Sequence, residues 1–88
     1  MPRTWLIVTG AVSPAINGNY TPIANFGGKA AYKNTVVNYY IAWLGVASVW
    51  VLSSLEGNPS GSYWINFNAT PLGTYTGYDG ASGTVTVS

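Results

Sequence analysis

The chain has 88 residues and a net charge of +1, with 48% hydrophobic side chains but only 6% charged ones, against about a quarter charged in an average globular domain. Without histidine or cysteine it has no parts for a zinc site, a Ser-His-Asp triad or a thiol nucleophile. Arg3, Lys29, Lys33, Glu56 and Asp79 are the only charges, too sparse for a phosphate-neutralising patch, so no nucleic-acid partner is expected.

The length suits one domain over residues 1–88 with a modest core. Thr4 to Thr9 is β-prone and closed by Gly10, and reads as a first strand. The apolar run Trp5 to Val8 is too short for the core of a signal peptide. Val12 to Gly18 holds Pro14 and Asn17-Gly18 and predicts a turn. Asn19 to Thr21 follows as a short strand that Pro22 should end, because proline cannot donate to a central ladder. A glycine-paired turn at Asn25 to Lys29 leads to a strand at Ala30 to Lys33.

Tyr39 to Ser54 is the centre of the chain: YYIAW and VWVLS flank a segment centred on Gly45, which reads as strand, turn, strand. Length alone would let Val36 to Leu55 span a membrane as a helix. Its β-branched and aromatic content, its serines and the lack of a flanking Lys/Arg cluster favour strands instead. Glu56 to Gly61 is a loop, and Ser62 to Phe67 alternates Tyr63, Ile65 and Phe67 with Trp64 and Asn66 as a half-buried strand does. Asn68 to Pro71 turns the chain into Gly73 to Thr76, and Asp79 to Gly83 turns it again. Thr84 to Ser88 then alternates with Val85 and Val87 inward. The pattern predicts an all-β fold, a small antiparallel β-sandwich or barrel with little or no helix. Gly18-Asn19-Tyr20-Thr21 echoes Gly73-Thr74-Tyr75-Thr76, either through pseudo-symmetry or through coincident turn and strand chemistry.

The order Asn17-Gly18-x-Tyr20-Thr21-Pro22, Gly28-Lys29-x-x-Tyr32, Tyr39-Tyr40-Ile41-x-Trp43 and Trp50-Val51-Leu52-Ser53 resembles a short aromatic-rich β module of phage structural proteins and multi-domain surface proteins. The match runs from Ala15 to about Ser54. It departs from the pattern at Gly27, where asparagine is usual, and at Leu52, where isoleucine is common. The resemblance implies a structural or adhesive block and carries no catalytic residues.

Glu56 and Asp79, the only carboxylates, both lie in turn-rich segments and suit solvated turns better than an acid–base pair. No enzyme activity, cofactor or metal is expected. Most of the aromatic residues, 15% of the chain, should be core. Alternation, however, sets Tyr39, Ile41 and Trp43 opposite Tyr40, Ala42 and Leu44, so one set must face a second surface: another sheet, another subunit or a ligand. Tyr39, Tyr40, Trp43, Trp64 and Tyr78 are the candidates for that interface or for a glycan platform. Together with the resemblance, these features lead to the expectation of a virion-associated phage structural protein, a capsid-decoration or tail/fibre component found outside the host after lysis. Its partners would be further copies of itself and other virion proteins. The alternative is a carbohydrate-binding module for host-surface glycans.

Overall fold

A computed structural model describes residues 5–10, 16–58 and 61–88. Eight antiparallel strands follow one another around a closed up-and-down barrel: β1 (Leu6–Thr9), β2 (Gly18–Phe26), β3 (Lys29–Asn34), β4 (Tyr40–Leu44), β5 (Val49–Ser53), β6 (Tyr63–Asn66), β7 (Gly73–Tyr78) and β8 (Thr84–Val87). The chain is all-β, and the described residues contain no helix. Of the two expected architectures the barrel is the one formed: β1 pairs with β8 through Val8↔Val87 and Thr9↔Thr86, which closes the sheet on itself. No described helix is long and apolar enough to cross a membrane. The stretch that length alone would have allowed to span instead contains the β4–β5 hairpin, in the register Ile41↔Leu52 and Trp43↔Trp50.

Because the strands simply alternate in direction, the connections sort into two sets. One end of the barrel carries the β1–β2, β3–β4, β5–β6 and β7–β8 connections, the first and third of them the longest in the chain, and is called here the long-loop end. The opposite, hairpin end carries the β2–β3, β4–β5 and β6–β7 connections and the start of β1. Gly27 and Gly28, with φ of 62° and 82°, make a two-residue turn whose left-handed conformation suits glycine and matches the twist of the strands.

The expectation that Pro22 ends its strand is overturned: β2 runs through it to Phe26 and pairs Pro22 with Tyr32. The reason lies in the neighbouring strand. Leu6↔Tyr20 is the last pair toward β1, so from Thr21 onward β2 has a free side, and there a missing N–H breaks no ladder. The expected turn at Val12–Gly18 lies largely outside the described residues, as do Thr4, the first residue of the expected Thr4–Thr9 strand, and Pro59.

The barrel interior is filled by Leu6, Val8, Ile16, Tyr20, Ile41, Trp50, Leu52, Trp64, Tyr75, Val85 and Val87. Alternation along the strands produces all of this set except Ile16, which enters from the β1–β2 connection, since one strand residue in two points inward; β8 behaves as its sequence predicts, with Val85 and Val87 buried between exposed threonines. A second apolar layer lies outside the barrel wall. Ala31, Ala42, Val49 and Val51 are buried although they alternate with the inward residues of their strands and are not part of the inner cluster. The β5–β6 loop folds back over this face: Ser53 Oγ donates to the Asn58 carbonyl at 2.9 Å and accepts the Leu55 N–H at 3.2 Å. Within the loop, Gly57 is buried so closely against the Phe26 ring that a Cβ there would overlap it. The end of β2 and the loop thus meet over the outer wall.

The two Gly-x-Tyr-Thr segments form matching locks at opposite ends. At the long-loop end, buried Tyr20 donates its hydroxyl to the Ile16 carbonyl at 2.8 Å. Asn34 Nδ2 donates to the same carbonyl at 3.3 Å, and Asn34 Oδ1 accepts the Val36 and Val37 N–H groups at 2.7 and 3.1 Å. At the hairpin end, Tyr75 donates to the Pro71 carbonyl at 2.6 Å, Asn66 Nδ2 donates to the Leu72 carbonyl at 3.0 Å and Asn66 Oδ1 accepts the Asn68 N–H at 2.7 Å. The tyrosine precedes its asparagine in the first lock (β2, β3) and follows it in the second (β6, β7), an order that a tandem duplication would not produce. The echo is one of local chemistry. Replacing Asn34 with alanine removes three hydrogen bonds that hold the β1–β2 and β3–β4 connections, each worth about 0.5–1.5 kcal/mol net. A loss of about 3 kcal/mol in denaturant unfolding is expected, with faster amide exchange at Val36 and Val37.

Candidate interaction surfaces

Among the described residues the surface forms no cleft or cavity that would enclose a small molecule, and no group of three or more carboxylates, histidines or cysteines is placed to hold a metal ion. Glu56 lies in the β5–β6 loop and Asp79 in the β7–β8 turn. What the barrel offers a partner is therefore its outer surface.

The five aromatics singled out from sequence have separate fates. Trp64 points into the barrel and is fully buried, its indole N–H without a protein partner, in a position no external ring or subunit reaches. Tyr39 packs edge-on against it at 6.3 Å and donates its hydroxyl to the Ser62 carbonyl at 3.4 Å. Trp43, also on the inward-facing side of β4, meets Trp50 edge-on at 5.4 Å, and the Lys29 ammonium sits 5.1 Å from its ring centre. Tyr40 faces outward under the Lys33 ammonium at 5.7 Å. These two lysines thus lie against rings, where the cation meets the electron-rich face. Tyr78 is the one of the five with a large exposed area, 42%. It stacks nearly parallel to Tyr63, its cross-strand partner, with ring centres 5.8 Å apart. Alternation along β6 separates Tyr63 from Trp64, but only the register, Tyr63↔Tyr78, brings the two tyrosines together.

The hairpin end carries an apolar rim that residue patterns did not single out. Val46 at the tip of the β4–β5 turn is 95% exposed and Phe67 in the β6–β7 connection 72%, and Trp5 and Leu72 are also exposed. The β6–β7 connection is not a loose loop. Asn66, Asn68 and Thr70 side chains bind its backbone, Asn68 Nδ2 reaching the Leu72 carbonyl at 3.1 Å and Thr70 Oγ1 accepting the Leu72 N–H at 3.4 Å. Tyr75 anchors it from below. Phe67 and Leu72 are therefore presented to solvent by a hydrogen-bonded frame, which lowers the entropy a partner must overcome to bind them.

Comparison with family models, with curated proteins and with solved structures finds no match for this chain.

Proposed function

We propose that the chain is a virion-associated structural protein of a phage, a capsid-decoration or tail/fibre component that works by burying apolar surface against neighbouring subunits. The observation that carries this reading is the exposed apolar surface: Trp5, Val46, Phe67 and Leu72 at the hairpin end, with Val36, Leu55 and Tyr78 exposed at the other. Exposed apolar surface of this kind marks interaction sites, and aromatic residues are enriched where proteins meet. The near absence of charge supports the same role, since a freely diffusing domain normally relies on charge to stay dispersed. So does the resemblance of the Ala15–Ser54 stretch to phage structural modules. A symmetric assembly of several copies is the common way to satisfy such a surface.

Light scattering of the purified protein tests the reading, with Phe67→Asp as its probe. The wild-type chain is expected as a discrete oligomer or bound to a virion component. Phe67→Asp is expected to weaken that association at least thirtyfold, corresponding to a hot-spot loss of about 2 kcal/mol. Its stability should change by no more than about 0.5 kcal/mol, because the site is on the surface. A monodisperse wild-type monomer at high concentration, with no affinity for any virion component, overturns the proposal.

A further inference from the structure

At the other end of the molecule, Tyr63 and Tyr78 stand side by side on the outer wall. They are held in register by β6 and β7, with the rings 11° from parallel. One face of each ring covers the other, so the ligand-accessible face of Tyr78 is the one turned away, toward the β7–β8 turn. That turn is Asp79-Gly80-Ala81-Ser82-Gly83 and has no bulky side chain to cover the ring. It is tightly made: the Ala81 N–H donates to the Tyr78 carbonyl at 3.0 Å and the Gly77 N–H to the Gly83 carbonyl at 3.2 Å. Asp79 is held at φ 50°, a left-handed position that aspartate tolerates better than most residues. The Tyr63 hydroxyl is held above the usual tyrosine range, by partial desolvation first and then by the charge of Asp79 and the neighbouring Tyr78. Asp79 directly follows Tyr78 in the chain, at the start of this turn. Ser62 Oγ lies 3.1 Å from the point that a Cβ on Gly80 would occupy, which places a hydroxyl beside the same turn.

We propose that Tyr78, backed by the stacked ring of Tyr63, forms with Asp79 and Ser62 a shallow subsite for one neutral pyranose ring of an oligosaccharide. The apolar C–H face of the sugar lies on the free face of Tyr78, whose ring carries its negative charge density there. The Asp79 carboxylate, an acceptor only, takes hydrogen bonds from sugar hydroxyls, and the Ser62 hydroxyl both donates and accepts. The carboxylate also sets specificity: a uronic or sialic acid brings a like charge against Asp79 and is rejected. An open subsite that buries one sugar face gives millimolar affinity, the range in which repeated copies of a virion protein gain by multivalent contact.

The test is a titration of isotope-labelled protein with the N-acetylglucosamine trimer, maltotriose and trigalacturonic acid, following backbone amide resonances. A saturable shift at Tyr63, Tyr78, Asp79 and Gly80 is expected with at least one neutral trisaccharide and none with trigalacturonic acid. Tyr78→Ala should weaken binding at least about tenfold and Asp79→Asn several-fold, while Tyr78→Phe, which keeps the ring, should bind like wild type. Phe67→Asp lies at the opposite end and should leave the titration unchanged, so the fate of the interface reading does not decide this one. No saturable shift with either neutral sugar, equal binding of the acidic trimer, or shifts that survive Tyr78→Ala each overturn the subsite.

Discussion

Replacing Trp64 with alanine is expected to lower the stability of the barrel by about 3–5 kcal/mol, the range for a buried tryptophan truncated in a core that cannot collapse around the void. Trp64 is among the largest fully buried side chains and lies on β6 between the inward residues of β5 and β7. For a domain of this size, whose whole stability is about 4–13 kcal/mol, the loss shifts thermal unfolding downward by on the order of 20 °C. Trp64→Phe should cost far less. It keeps a ring in the core and removes an indole N–H that has no protein partner, a group whose burial unsatisfied costs about 1–3 kcal/mol. Calorimetry of the two variants checks the pair; similar melting points for Trp64→Ala and wild type would show that the core does not depend on this ring.

Alkali should unfold the protein cooperatively. Burial first of all pushes the Tyr20 hydroxyl from 10.0 up to about 12, against the opposing influence of the neighbouring Asn34 amide and with a further rise from Tyr39. Burial likewise raises Tyr75, with Asn66 opposing it. In each case the folded state holds the proton more tightly than the unfolded chain. The stabilisation is therefore complete below pH 10 and disappears as the pH climbs toward and past the folded-state values. Two pH units on Tyr20 alone correspond to about 3 kcal/mol, and Tyr75 adds in the same direction. Phenolate absorbance should show Tyr20 and Tyr75 ionising only above pH 10, together with loss of the β-sheet circular dichroism. Uniform ionisation of all tyrosines near pH 10 with the fold intact would contradict the two locks.

Much of the strand pattern was readable in the residues because the relevant signals are local. The Gly45-centred turn between two apolar runs, the paired glycines at 27 and 28 and the alternation of Val85 and Val87 each specify a strand or turn without reference to the rest of the chain. What could not be read depends on pairing between distant segments. Pro22 continues its strand because β1 stops at Leu6, and the sheet closes because β1 meets β8. The outward residues of β4 required a second surface, and alternation could not reveal that part of it belongs to the chain itself: Ala42 is buried on the face where Phe26 and Gly57 close over the wall. The same limit applied to the surfaces. Among the aromatics chosen from sequence, Tyr78 lies in the proposed sugar subsite and Trp64 proves internal. Tyr63 had to be added through its register, and Phe67 through the hydrogen-bonded frame that holds it outward.

The seam where β1 and β8 close the barrel also sets how the molecule bears tension. Those strands run antiparallel, and the chain enters β1 and leaves β8 at the same end, where Ile7 and Ser88 exchange backbone hydrogen bonds of 2.9 Å. A pull applied through the flanking segments would load this seam as a zipper, one pair at a time, instead of shearing all its bonds together. Firm anchorage within an assembly would then come from contacts across the barrel's surface, because force drawn through the backbone would peel β1 from β8 first.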